Sequence, residues 1–118
     1  MDFTQAIAAA MGKYFTFSGR ATRPEYWWFF LFTVLMIWGA SIVEATGSQG
    51  DSWLMSAAVS LIFTIPQISC ATRRLHDTGR SGWWQLLSLV PLIGWIILII
   101  WLARKGEAGE NRFGPAAG

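Results

Sequence analysis

The chain has 118 residues, a length that suits one domain, with 53% hydrophobic residues, 14% charged residues and a formal net charge of +2. A soluble domain usually carries about 25% charged residues, and eight Trp with eight Phe are more than a soluble surface of this size can hide. The weak basic balance, with no basic face on a soluble fold, argues against a nucleic-acid partner, and a single cysteine, Cys70, excludes an intramolecular disulfide.

Residues 2–17 place Phe3, Ile7, Met11, Tyr14 and Phe15 at helical spacing, which predicts an amphipathic helix lying in the membrane interface or packed on the protein's own loops. This stretch lacks the apolar core of a cleavable signal peptide, so the first span is expected to act as its own insertion signal. After the break at Ser18–Ala21, Thr22-Arg23-Pro24-Glu25 has the form of a helix start. Thr22 suits the N-cap, Glu25 would complete a capping box, and Pro24 falls in the first turn. The first transmembrane helix is expected over 23–43, with Trp27 and Trp28 at headgroup level.

Residues 46–51 form a short polar loop without Lys or Arg, and Asp51 or Ser52 is expected to cap the second span, 52–72. Ser56, Ser60, Thr64 and Gln67 share one face of that helix. Small polar residues in lipid favour close helix contact, so the stripe is read as a helix–helix interface. The competing reading is that these hydroxyls bond back to their own backbone. Pro66 is expected to kink the helix, and Cys70 reads as a small buried hydrophobe. A basic loop at 73–82 follows, then an apolar run at 83–103 and a polar tail at 104–118.

No charge occurs within 26–43, 52–72 or 81–103, runs of 18, 21 and 23 residues. Roughly 20 apolar residues cross the hydrocarbon of a bilayer. The pattern therefore predicts an all-α, multi-pass integral membrane protein. Short loops rich in Lys and Arg stay cytoplasmic. Lys13, Arg20 and Arg23, together with Arg73, Arg74 and Arg80, place the N-terminus and the central loop inside. Three full spans would then put Arg104, Lys105 and Arg112 outside. Pro91-Leu92-Ile93-Gly94 offers another course, a re-entrant helical hairpin that keeps all nine basic residues on one side. A single Pro-kinked span is the other reading of 83–103.

Four stretches carry a family resemblance. They are the segment from Phe17 to Trp27 (FSGRATRPEYW), the segment from Arg73 to Trp84 (RRLHDTGRSGWW), Pro91–Gly94 (PLIG) and Gly109–Pro115 (GENRFGP). In order and over nearly the whole chain they resemble the small bacterial inner-membrane proteins grouped as domain of unknown function 805. The resemblance implies a bacterial inner-membrane location and brings no activity with it.

Arg20, Arg23, Arg73, Arg74, His76 and Arg80 are candidate ligands for an anion or a lipid headgroup, since Arg presents a planar fork that suits phosphate. Gly79 and Gly82 would let backbone N–H groups approach the same anion. The competing reading is that these cations fix topology and pair with Asp77 and Glu25. A Ser81–His76–Asp77 triad would need three residues of one short loop to reach relay geometry with no oxyanion donors in view, so no catalytic residue is assigned. One His and one Cys do not make a zinc site without distant carboxylates, and no metal or cofactor is expected. The function expected is a non-enzymatic membrane protein whose basic cytoplasmic face meets membrane lipids or a protein partner. An oligomeric small-solute channel or transporter lined by the second helix is the alternative.

Overall fold

A computed structural model describes residues 2–47 and 53–115. The described residues form four α-helices and one 3₁₀ helix, in the order α1 (Phe3–Gly12), α2 (Arg23–Thr46), α3 (Leu54–Asp77), the 3₁₀ helix (Gly82–Leu89) and α4 (Ile93–Ala103). The capping role expected of Asp51 or Ser52 lies outside the described residues.

Helix α1 starts on a capping box, in which Asp2 accepts from the Gln5 N–H and the Gln5 side chain accepts from the Asp2 N–H. It ends at Gly12, five residues earlier than its periodicity suggests. Ala6 and Ala10 are fully buried, which brings α1 close to its neighbours, while the Phe3 ring stands edge-on to Trp28 and to Phe32 of α2.

Helices α2 and α3 each have 24 residues, roughly 36 Å of helix, enough to cross a bilayer. They pack side by side through Phe29, Phe32 and Phe63. Thr22 accepts from the Glu25 N–H as an N-cap should. The Glu25 carboxylate does not close the capping box; it is drawn to the Arg73 guanidinium, because a buried carboxylate gains more from a cation than from one N–H. At the other end, Glu44 of α2 accepts from the Ser56 N–H and so fills a free donor in the first turn of α3. Their outer faces are apolar and open, with Leu61 73% and Trp38 64% exposed, as helices facing lipid require.

Pro66 removes the N–H that would bond to the Ile62 carbonyl one turn earlier. The Tyr14 hydroxyl donates to that same carbonyl, and Ser69 donates to the Tyr14 carbonyl at 3.1 Å. The segment after α1 is thus docked where α3 has lost a hydrogen bond of its own.

The stripe on α3 divides. Ser56 bonds back to the Trp53 carbonyl, and Thr64 is exposed and bonds back to Ser60. Two of the four residues meet α2: Ser56 through its backbone N–H at Glu44, and Gln67 through its side chain, the Oε1 lying 3.1 Å from the Thr33 hydroxyl. The buried face of α3 runs instead through Phe63, Pro66 and Cys70, because large apolar groups fill the α2–α3 gap better than hydroxyls do.

The third apolar run folds back on itself. Trp84 and Trp101 lie 5.5 Å apart, where a continuous helix would separate them by roughly 25 Å. The reversal occurs at Pro91-Leu92-Ile93, where the Ile93 N–H reaches the Pro91 carbonyl at 2.8 Å and Leu92 adopts φ 65°, ψ −70°. That is a classical γ-turn, a strained conformation for a residue with a side chain. Gly94 allows the arms to close, since a Cβ there would stand 1.8 Å from the Leu87 carbonyl oxygen. Trp95 donates across the closed arms to the Ser88 carbonyl at 2.8 Å.

Candidate functional site: a buried arginine–carboxylate junction

Helix α3 does not stop at residue 72. It continues through Arg73 and Arg74 to Asp77, so the first half of the expected 73–82 loop is its last helical turn. Cations suit this position, where the helix dipole is negative. The end is closed by a Schellman motif. Gly79, at φ 80°, donates to the His76 carbonyl, and Arg80 donates to the Leu75 carbonyl. The Gly79 N–H is therefore taken up by the helix rather than offered to an anion.

Asp77 sits at the centre of the junction and is 6% exposed. Its Oδ1 accepts from Arg20 Nε at 2.8 Å, and its Oδ2 from Arg74 at 2.6 Å. Arg20 also donates to the carbonyls of Gly109, Gly114, Glu107 and Asp77, so it makes as many bonds as a guanidinium has N–H groups. Arg74 reaches the carbonyls of Leu102, Ala21 and Arg104. Arg73 pairs with Glu25 and is 1% exposed, while its Nε and second terminal nitrogen have no hydrogen-bond partner among the described residues. The Glu107 N–H donates to the Asp77 carbonyl at 2.7 Å. Gly106 lies so close that a Cβ there would stand 1.9 Å from Asp77 Oδ2.

The junction therefore ties together the 18–21 break, the end of α3, the end of α4 and the tail. All four family-like segments meet at this end or at the turn of the hairpin that leaves it. Breaking a buried pair by removing one partner usually costs about 3–5 kcal/mol, which makes the cluster a lock for the fold.

The six candidate anion ligands grouped by sequence are brought to one end but fall into different environments. Arg20, Arg73 and Arg74 are buried, and the expectation that they face an outside anion is corrected: carboxylates and backbone carbonyls already occupy Arg20 and Arg74, and Glu25 holds Arg73. Arg23 is exposed and reaches the Ala103 carbonyl at 3.5 Å. Arg80 is half-buried, its guanidinium 4.5 Å from the centre of a Trp101 ring. His76 donates from Nδ1 to the Gly19 carbonyl at 2.9 Å, since a carbonyl can only accept, and stacks flat on Phe113 with centroids 3.9 Å apart. No Ser81–His76–Asp77 relay is assembled. Asp77 is engaged by two arginines, and Ser81 accepts from the Trp83 N–H.

From the sequence Gly106 reads as a C′ residue ending the last helix, and Asn111 and Phe113 only as part of the GENRFGP motif, so the sequence places none of the three at the junction. The Asn111 amide donates to the His76 carbonyl at 2.9 Å, and its backbone pairs with Gly114 across a tight turn. The spacing of Asn111 and Gly114 was the available signal for that turn.

An all-helical chain with two long apolar helices, open apolar faces and charge confined to the helix ends is an integral membrane protein. Residues 14–115 match the family described as Protein of unknown function (DUF805), and the chain belongs to that family. The chain is 40% identical over 106 residues to the inner membrane protein YhaH of Escherichia coli, covering 87% of this chain and 88% of that one. It is 40% identical over 111 residues to the inner membrane protein YhaI of the same organism, covering 93% and 92%. It is 33% identical over 88 residues to the uncharacterized protein YiiR, covering 71% of this chain and 54% of that one. No solved structure matches the chain.

Proposed function

We propose that this is a non-enzymatic inner-membrane protein that holds anionic lipid headgroups on a cytoplasmic basic face. The observation that supports this most is the grouping of exposed cations. Arg23 at the start of α2 meets the end of α4, where Arg104 and Lys105 are exposed. Trp27 joins the same two elements by donating to the Leu102 carbonyl at 3.3 Å. Arg23, Trp27, Trp28 and Leu31 line a shallow groove of about 470 Å³ there. Cations above amphipathic rings at a helix end suit an anionic headgroup over its acyl chains.

In this reading both termini are cytoplasmic and the 83–103 hairpin is re-entrant. Each arm is too short to cross the hydrocarbon, and the arms return the chain to the end it left. A reporter fused after Gly118 and active only in the cytoplasm is expected to be active. A silent cytoplasmic reporter with an active periplasmic one would overturn the topology.

The lipid reading is tested by changing Arg23, Arg104 and Lys105 to Gln together. From bilayers mixing phosphatidylglycerol and phosphatidylcholine, the parent is expected to carry an excess of the anionic lipid into detergent. The variant should lose it, by roughly fivefold per cation removed. High salt should weaken the excess in the parent, because these cations are exposed. An excess that survives the triple change would sink the proposal. The channel alternative draws less support, since the Ser56 and Thr64 hydroxyls are engaged by their own helix.

A further inference from the structure

A second groove, of about 620 Å³, lies between α3 and the 3₁₀ helix, away from the Arg23–Arg104 cluster. Its volume is in the range of sites that hold a small ligand. One wall is the α3 face Ile68, Thr72 and His76, residues spaced by four and therefore stacked one above another over roughly 12 Å. Polarity rises along that wall from an isoleucine at the membrane-facing end to an imidazole at the junction. The other wall repeats the order, with Ser81 beside the junction and Leu86 farther along, although Ser88 places one hydroxyl at the apolar end. Between the walls, Gln85 donates to the Thr72 hydroxyl at 2.6 Å and to the Ile68 carbonyl at 3.3 Å, which holds the walls at a fixed separation. Gly82 permits this approach, since a Cβ there would stand 2.5 Å from the Thr72 methyl.

The polar end carries unused capacity. With the Nδ1 proton of His76 given to the Gly19 carbonyl, the neutral ring leaves Nε2 as an acceptor with no protein partner among the described residues. The Arg112 guanidinium lies 4.6 Å from the centre of the Phe113 ring that stacks on His76, so a cation stands beside this end. Among the described residues no carboxylate lines the groove.

We infer that this groove holds one phospholipid, its acyl chain along Ile68 and Leu86, its phosphate at the Ser81 hydroxyl beside Arg112, and a headgroup O–H or N–H donating to His76 Nε2. The match is one of polarity order. A neutral isoprenoid would fill the apolar floor but leave the hydroxyl and guanidinium without an anion and the imidazole without a donor. The site differs from the exposed cation cluster, which would select bulk lipid by charge.

Native mass spectrometry of the detergent-purified full chain tests the inference. One phospholipid is expected to remain on each parent chain. Leu86→Trp and Ile68→Trp, which fill the groove, should each lower that occupancy at least tenfold. The Arg23, Arg104 and Lys105 triple variant should keep its single lipid while losing the anionic excess, so the two proposals fail separately. A lipid-free parent, undiminished occupancy in both Trp variants, or a bound isoprenoid in place of the phospholipid would each refute the inference. Should the Trp variants not fold, phosphatidylglycerol with a photoreactive acyl chain is used on the parent. Crosslinks concentrated on residues 68–72 and 83–88 support the site. Labelling spread evenly to outward residues such as Ile42 and Leu61 overturns it.

Discussion

Asp77→Asn is expected to be the most damaging single exchange of nearly equal size in this chain. The amide keeps one oxygen for Arg20 or Arg74 but turns an NH₂ toward the other guanidinium. Both arginines are buried, with side chains 1% and 0% exposed, so water cannot replace the lost carboxylate. Removing one partner of a buried ion pair costs about 3–5 kcal/mol, a large part of the stability of a small protein. Thermal unfolding in mild detergent should show a lowered midpoint and a reduced yield of folded protein. Asp77→Glu separates charge from fit. It restores the carboxylate but adds a methylene where the Gly106 backbone already touches Oδ2. It should therefore also destabilise, by less than Asn. A midpoint unchanged by either exchange would mean that the junction does not hold the fold.

Gly94→Ala is expected to open the hairpin. The added methyl would meet the Leu87 carbonyl oxygen at 1.8 Å and the Leu87 carbonyl carbon at 2.8 Å, both backbone atoms that cannot rotate away. Forcing a methylene into a packed site costs about 1–3 kcal/mol, and more where the backbone must move. Separating the arms would also break the edge-on Trp84–Trp101 contact and the Trp95–Ser88 hydrogen bond. Proteolysis between Arg80 and Arg104 should quicken in the variant, and the quenching that Trp84 and Trp101 impose on each other should change. A variant with the parent's protease resistance would count against so tight an approach.

Much of the architecture can be read from where charge is absent. The apolar runs place α2 and most of α3, and Thr22-Arg23-Pro24 marks the start of α2 correctly because capping depends on neighbours in sequence. The end of α3 is harder. Arg73-Arg74-Leu75-His76-Asp77 reads as a loop because such residues are rarely buried. They are buried here because Arg20, Glu25 and the Arg104 carbonyl come from positions about 30 to 60 residues away. No local pattern reports partners at that distance. Gly79 shows the same limit on a smaller scale. Its sequence context fits an anion loop and a helix C-cap equally well, and only the register of α3 selects the cap. The hairpin lies in between. Pro91 and Gly94 mark the break, but the contact of Gly94 with Leu87 that distinguishes a fold-back from a kink is tertiary.

The reach of Arg20 also has a meaning in time. A chain made from its N-terminus presents this guanidinium to the membrane surface long before Asp77 exists, and longer still before Glu107, Gly109 and Gly114 follow. Until then it must stay hydrated, because an unpaired charge resists burial. The break at 18–21 therefore remains at the aqueous boundary until those partners are made. It can settle onto the end of α3 only when residues 107–114 have been made, so a segment synthesised later completes the burial of a cation synthesised well before it.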